Sequence, residues 1–185
     1  MSTVTINNSP IHSDSMLSAV FGETGQYWQQ YHTGDDFVPS GSTPSNPPIY
    51  SVSNGQVVEV SNSTSLWHGN MVLIKDSQNR YWRYCHMQAS SILVSVGETV
   101  TTNTQLGIMG ATGNVSGVHL HLEYASSPIW NYDTFLNPSD ALGIPNVRGT
   151  IVKYDGTIPP TPPTPSSLSN SKKWLWCKNL KIRRL

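Results

Sequence analysis

The sequence predicts an all-β domain with mostly antiparallel strands, and three observations carry that expectation. Apolar residues recur in short alternating runs, no stretch sustains a 3.6-residue period, and the connections are too short for the crossovers that parallel strands need. Composition agrees. With 14 Gly, 13 Pro and only 12% charged residues, the chain suits a loop-rich β protein working outside a cell better than a helical cytosolic enzyme. Its 185 residues fit one domain with tails, large enough to bury a core without disulfides.

The elements follow in order. Residues 1–20 read as an extended polar lead-in, and Phe21-Gly22-Glu23-Thr24-Gly25 supplies turn chemistry at the start of a folded domain expected over 21–145. Gly34 and Pro39 argue against a helix at His32-Thr33-Gly34-Asp35-Asp36, so this segment is a turn running into a strand. Val52, Gly55, Val57, Val58 and Val60 mark a strand and turn, 71–75 another strand, and 80–86 an aromatic-rich third. Residues 97–100 and 107–110 bracket further short strands, and 118–124 closes the set. The helix candidate is a short turn after Pro138. Residues 146–171 read as a Pro/Thr/Ser linker, stiff through its proline repeat and flexible after it. Residues 172–185 form a short basic segment in which Trp174, Trp176 and Leu180 alternate with Lys172, Lys173, Lys178, Lys181, Arg183 and Arg184.

Several function classes are disfavoured. Lys+Arg and Asp+Glu balance at 11 each, so no overall charge draws the chain to nucleic acid. There is no run of about 18 apolar residues, hence no transmembrane segment is expected. The N-terminus has neither the basic nor the apolar region of a secretory signal, so work outside a cell implies another route of delivery or a longer parent chain. Cys85 and Cys177 lie far apart and outside any CxxC pair, which leaves two free thiols or a single disulfide rather than a thiolate metal site. The glycines of 107–117 lack the lysine and the following helix of a phosphate-binding loop.

Of six histidines, some fall at spacings that chemistry can use. In 118–124, Val118, Leu120, Leu122 and Tyr124 alternate toward a core, which puts His119, His121 and Glu123 together on the opposite face, roughly 6.5–7 Å apart in steps of two. Alone, this pattern also fits two solvated histidines, and Glu123 a solvated carboxylate. His32 and Asp36 can occupy two corners of a tetrahedral zinc, or belong to an ordinary polar loop. With one histidine of the other strand they make a three-ligand site whose fourth corner stays open, and that N/N/O set suits zinc better than calcium or magnesium. His12 and His68 read as uninvolved surface residues. Trp67, Trp82 and Trp130 are either packing or the lining of a substrate groove.

Seven segments occur in a telling order: His32-Thr-Gly-Asp-Asp36-Phe, Asn54-Gly55-Gln-Val-Val58, Gly69-Asn-Met-Val-Leu-Ile-Lys75, Tyr84-Cys-His86-Met, Val96-Gly-Glu-Thr-Val100, Gly110-Ala-Thr-Gly113-Asn114 and Gly117-Val-His119-Leu-His121-Leu-Glu-Tyr124. The string resembles the lysostaphin/LytM-like zinc endopeptidases, the M23 peptidase family, over about 21–142. The resemblance implies a lysostaphin/LytM-type catalytic domain with one zinc ion per chain. It implies His32, Asp36 and His121 as metal ligands, and His86 and His119 as catalytic histidines that do not ligate. Asp36 rather than Asp35 matches the ligand position. A tyrosine that helps hold the transition state in some members corresponds to Tyr27 or Tyr31, and Glu123 is a candidate partner for the histidines behind the metal. The implied substrate is bacterial peptidoglycan, cut within stem peptides or cross-bridges. The alternative is a catalytically silent domain of this type that binds wall or activates a partner hydrolase; the presence of every motif residue weighs against it. A wall-cutting domain with a Pro-linked basic tail also suits a virion-borne phage lysin, with 172–185 docking onto other tail proteins.

Overall fold

The computed structural model describes residues 2–157 except Gln26 and Trp130. The expected segment 172–185 and most of the expected linker lie outside the described residues. In chain order the strands are β1 (Thr3–Ile6), β2 (Ser15–Ala19), β3 (Gly34–Pro39), β4 (Pro48–Tyr50), β5 (Gly55–Asn62), β6 (Asn70–Asp76), β7 (Tyr81–Met87), β8 (Thr99–Val100), β9 (Gln105–Ile108), β10 (Leu120–Ala125), β11 (Phe135–Leu136) and β12 (Ile151–Tyr154), with one helix, α1 (Pro138–Leu142). The all-β expectation holds. The main sheet runs β1-β12-β2-β3-β10-β7-β6-β5-β8, and β11 pairs with β10 beyond the end of β3. Strands β4 and β9 form a separate ribbon. Among the described residues only β1 and β12 pair in parallel.

That parallel pair corrects two boundaries. Residues 1–20 are not a lead-in outside the domain, and the first part of 146–171 is not linker. β1 lies beside β12, β12 beside β2, and Ile11, Leu17 and Val152 are fully buried in the main core. The reason these strands were illegible is physical. β1 and β12 have four residues each, β1 alternates only between exposed and half-buried, β12 buries Val152 alone, and each is stabilised by a partner at the opposite end of the chain.

The short helix after Pro138 forms as expected. Asn137 caps it by accepting from the Ser139 amide, Pro138 opens it with a preset φ, and Gly143 ends it at φ 70°. One open alternative closes and two other expectations change. Trp82 is buried and stacked on Tyr124 at 4.2 Å, so it packs and does not line a groove. His68 is buried, with its backbone carbonyl accepting from the His86 amide. His12 is no bystander: its ring lies between those of Tyr50 and Tyr154, at 3.5 and 3.8 Å, and Nε2 meets Asn103 Oδ1. The stack joins the N-terminal segment to β4 and β12.

Candidate metal centre

The site is built on the β3–β10 ladder. Its register sets Asp36 opposite His121 and Gly34 opposite Glu123, so these residues share one face, while Phe37, Leu120 and Leu122 fill the core on the other. Gly34 is required by space. A Cβ there would stand 2.3 Å from the Leu122 carbonyl oxygen and 3.0 Å from His121 Cε1. His32 enters from the preceding loop, whose backbone is pinned by Glu23 and Gly22, and its Nδ1 lies 3.1 Å from the Val20 carbonyl.

Three donor atoms converge. His32 Nε2 is 3.1 Å from His121 Nδ1 and 3.3 Å from Asp36 Oδ1, and the last two are 2.8 Å apart. Ligands at zinc bond lengths of about 2.0–2.1 Å in a tetrahedron stand about 3.3 Å from one another, so the spacing suits a small cation of that geometry. The proton positions agree. With Nδ1 of His32 donating to Val20, its Nε2 offers a lone pair. The group His32, Asp36 and His121 therefore has the chemistry and the geometry to hold a metal.

Electrostatics point the same way. Burial alone would raise the Asp36 carboxyl, but hydrogen bonds from His121 and His32 outweigh it and hold the group well below the usual carboxylate range. Burial would lower His121, yet the Asp36 and Glu123 carboxylates carry it up to about 10. Two carboxylates about one imidazole thus favour positive charge at this position. A divalent cation supplies that charge in place of a proton.

His86 and His119 stand beside this group. Between Asn70 and Val72 of β6, the facing residues step from Met87 to Tyr84, so β7 carries one extra residue, and His86 has φ 61° there. This bulge turns an imidazole out of the alternation toward the site, a common use of bulges near functional groups. His86 lies 4.7 Å ring to ring from His119 and 5.9 Å from His121. Its Nδ1 meets the Thr112 carbonyl at 2.9 Å. Gly69, at φ 64°, lets that loop approach, since a Cβ would strike the Thr112 backbone at 2.3 Å. His119 Nδ1 meets the Gly117 carbonyl at 3.0 Å, and its Nε2 lies 3.7 Å from Asp36 Oδ1. Both rings thereby keep Nε2 free of the loop carbonyls. Burial, then the charges of His121 and His119, push the His86 imidazole down to about 3, so it is neutral at physiological pH. His32, His86 and His121 are buried, whereas the side chains of Asp36 and His119 keep 18% and 16% exposure, and the cluster opens to solvent on their side.

Glu123 is fully buried, not solvated: Thr33 Oγ1 donates to it, Arg83 pairs with it, and His121 Nε2 lies 3.2 Å away. Burial raises its pKa, but the hydrogen bond and charge of His121 and the charge of Arg83 bring it below the ordinary value. The two tyrosines are placed differently. The Tyr31 hydroxyl donates to the Tyr132 carbonyl, and Tyr27 is 83% exposed, edge-on to Trp28, whose ring stands 5.0 Å from His32. Sequence reasoning missed Arg83, Thr33, Thr112 and Trp28. A charge inside the aromatic run 81–87 was the one available signal for Arg83.

Comparison with known proteins meets this geometry. The model of peptidase family M23 matches residues 30–134, more than half of the chain. The peptidoglycan DD-endopeptidase ShyC of Vibrio cholerae is 39% identical over 101 residues, which cover 55% of this chain and 21% of ShyC. ShyA of the same organism is 37% identical over 92 residues, covering 50% of this chain and 20% of ShyA. The chain thus spans about a fifth of the length of these relatives. The catalytic domain of the prophage-encoded M23 protein EnpA from Enterococcus faecalis superposes with a TM-score of 0.55 at 27% identity, over 68% of this chain and 89% of that one. A zinc-containing peptidase from Vibrio cholerae gives 0.53 at 28% identity, over 64% of this chain and 36% of that one. The lysostaphin catalytic domain from Staphylococcus simulans, at 23% identity and a TM-score of 0.54 over 71% and 92% of the two chains, shares the fold. With this profile match and the His/Asp/His group in place, the chain belongs to peptidase family M23, a family of zinc peptidases.

Proposed function

We propose that the chain is a zinc endopeptidase that hydrolyses peptide bonds in bacterial peptidoglycan, acting outside the cell at the wall. The observation that carries this is the meeting of His32 Nε2, Asp36 Oδ1 and His121 Nδ1 within hydrogen-bond distance of one another, flanked by two further imidazoles. In this reading the three residues ligate one zinc ion. Zinc so held supplies an acidified water, with a pKa near 7, and a Lewis acid for the scissile carbonyl.

The rest of the work falls to protein groups. His86 and His119 each tie Nδ1 to a loop carbonyl and keep Nε2 for proton exchange. One imidazole takes the proton of the attacking water as oxygen bonds to the carbonyl carbon. The other, protonated, offers a hydrogen bond to the developing oxyanion and transfers its single proton to the amine as the C–N bond breaks. His119 Nε2 lies 3.7 Å from Asp36 Oδ1, at the edge of the ligand group where a water or leaving amine would stand. The opening on the Asp36 and His119 side admits a peptide segment of a polymer, as an endopeptidase requires. The silent-domain alternative has no support in the site, because every motif side chain stands in the cluster.

For the bond cut, the DD-endopeptidase relatives favour a cross-link between two D-configured centres over a glycine bridge. For delivery, the basic aromatic segment 172–185 and the prophage origin of EnpA support a virion-borne lysin that docks onto phage tail proteins. Mass spectrometry of muropeptides released from walls with direct and with glycine cross-bridges tests the first reading. Cross-linked dimers converted to monomers in the direct-linked wall are expected. Release from neither wall by the zinc-loaded protein contradicts the enzyme itself. Deleting 172–185 is expected to spare cleavage of soluble fragments and to reduce attachment.

A further inference from the structure

We propose that Arg83 and Glu123 are a positioning pair that fixes the His121 ring for the metal and ties the metal site to Trp67 at its rim. The inference rests on the reading that His32, Asp36 and His121 hold the ion.

One carboxylate braces all three strands or loops that carry the site. Glu123 Oε1 accepts from Thr33 Oγ1 at 2.6 Å, next to His32 in the chain, and its Oε2 pairs with Arg83 on β7. His121 Nε2 is buried, and Glu123 Oε1 stands 3.2 Å from it. A carboxylate behind one ring nitrogen keeps the proton there and leaves the other nitrogen's lone pair for a metal. Here that leaves Nδ1 facing His32 and Asp36, where the donors converge. A lone carboxylate buried so completely would be costly, and Arg83 offsets it.

The pair also reaches outward. The Arg83 guanidinium carbon lies 4.9 Å from the centre of the Trp67 ring, within the range of a cation–π contact. Trp67 is 48% exposed and stands edge-on to His121 at 6.2 Å. A group stacked on the open side of Trp67 therefore bears on the same guanidinium that holds Glu123. This gives Trp67 two roles that the sequence left undecided: a contact surface for substrate, and the outer end of a chain leading to a ligand histidine.

Zinc affinity of the full chain, by competition with a chelator, tests the pair in wild type, Glu123→Gln, Glu123→Ala, Trp67→Ala and the double variant Arg83→Met/Glu123→Leu. The His121 Nε2–H resonance of the zinc-loaded proteins is followed in parallel. Wild type must bind one zinc; failure there removes the metal-site reading itself. Glu123→Ala and the double variant are expected to bind zinc about 10- to 100-fold more weakly. Glu123→Gln recovers part of the loss, because its amide oxygen still accepts, and Trp67→Ala loses a smaller factor. The Nε2–H signal, protected in wild type, exchanges with solvent in the two strong variants. The double variant guards against misfolding, since exchanging a buried ion pair for apolar residues preserves packing better than stranding Arg83. Wild-type affinity in a folded double variant overturns the proposal and leaves the metal site standing. Unchanged affinity in Trp67→Ala overturns the tie to the rim.

Discussion

The two faces of the β3–β10 ladder are both largely buried, and they are held in opposite ways. On one face Phe37, Leu120 and Leu122 are completely enclosed in the core, each contributing about 1.5–3 kcal/mol by burial. On the other, Asp36, His121 and Glu123, with His32 beside them, hold each other by charge and hydrogen bonds. The first face is stable whatever ions the solution contains. The second is complete only with a cation at its centre. Asp35 and Asp36 show how narrow the boundary is. One step along β3 puts Asp35 on the core side, where it accepts from the Phe21 amide and from Ser139 Oγ and fastens the entry loop and α1 to the strand. Burial pushes its carboxyl up, with those bonds drawing it back in part, whereas the neighbouring Asp36 is held down by histidines.

The contrast can be broken most forcefully on the polar face. His121→Ala or Asp36→Ala is expected to abolish zinc binding and to cut wall lysis by at least about a thousandfold, the loss of a Lewis acid worth several kcal/mol. Lysis of a wall suspension, with circular dichroism showing retained strands, checks this. His86→Ala and His119→Ala are expected to lower kcat by about 10²–10⁴ while zinc content stays at the wild-type level. On the apolar face the expected effect is on stability. Leu122→Ala is expected to cost about 2–5 kcal/mol in urea unfolding, with activity per folded molecule kept. Metal itself bridges the two faces: zinc at a hundredfold excess over Kd is expected to add about 2.7 kcal/mol. For a domain of this size that corresponds to about 5–10 °C in Tm, lost on chelation.

The smallest effect lies away from the ladder, at the His12 stack. Burial lowers the His12 pKa below 6.5, partly opposed by the Asn103 hydrogen bond. The unfolded chain therefore takes up a proton more readily, and stability falls as pH drops below about 6.5. His12→Phe keeps the stacking and is expected to lose less stability than wild type over that interval, measured by Tm.

The ladder was legible because its signals are local. His119-Leu120-His121 alternates within one strand, Gly34 and Asp36 lie within five residues of His32, and Asn137-Pro138 announces its own helix. The outer edge of the sheet was not. β1 and β12 are only four residues long and find each other across the whole domain, which no local pattern reveals. The burial of Glu123 was hidden for a related reason. A carboxylate on the polar side of a strand reads as solvated until its counter-charge, Arg83 of β7, is seen beside it. The bulge that aims His86 left no mark beyond a histidine in an aromatic strand, because a positive φ, though commoner at histidine than at most residues, is still the exception there.

X-ray absorption at the zinc edge tests the metal centre most directly. One zinc per chain is expected, with nitrogen and oxygen neighbours only, at about 2.0–2.1 Å, and with the imidazole scattering of two histidines. Bound zinc, and that scattering with it, should be lost in His121→Ala, and both should stay unchanged in His119→Ala. A sulfur neighbour, or imidazole scattering that survives loss of both His32 and His121, would contradict the centre described here.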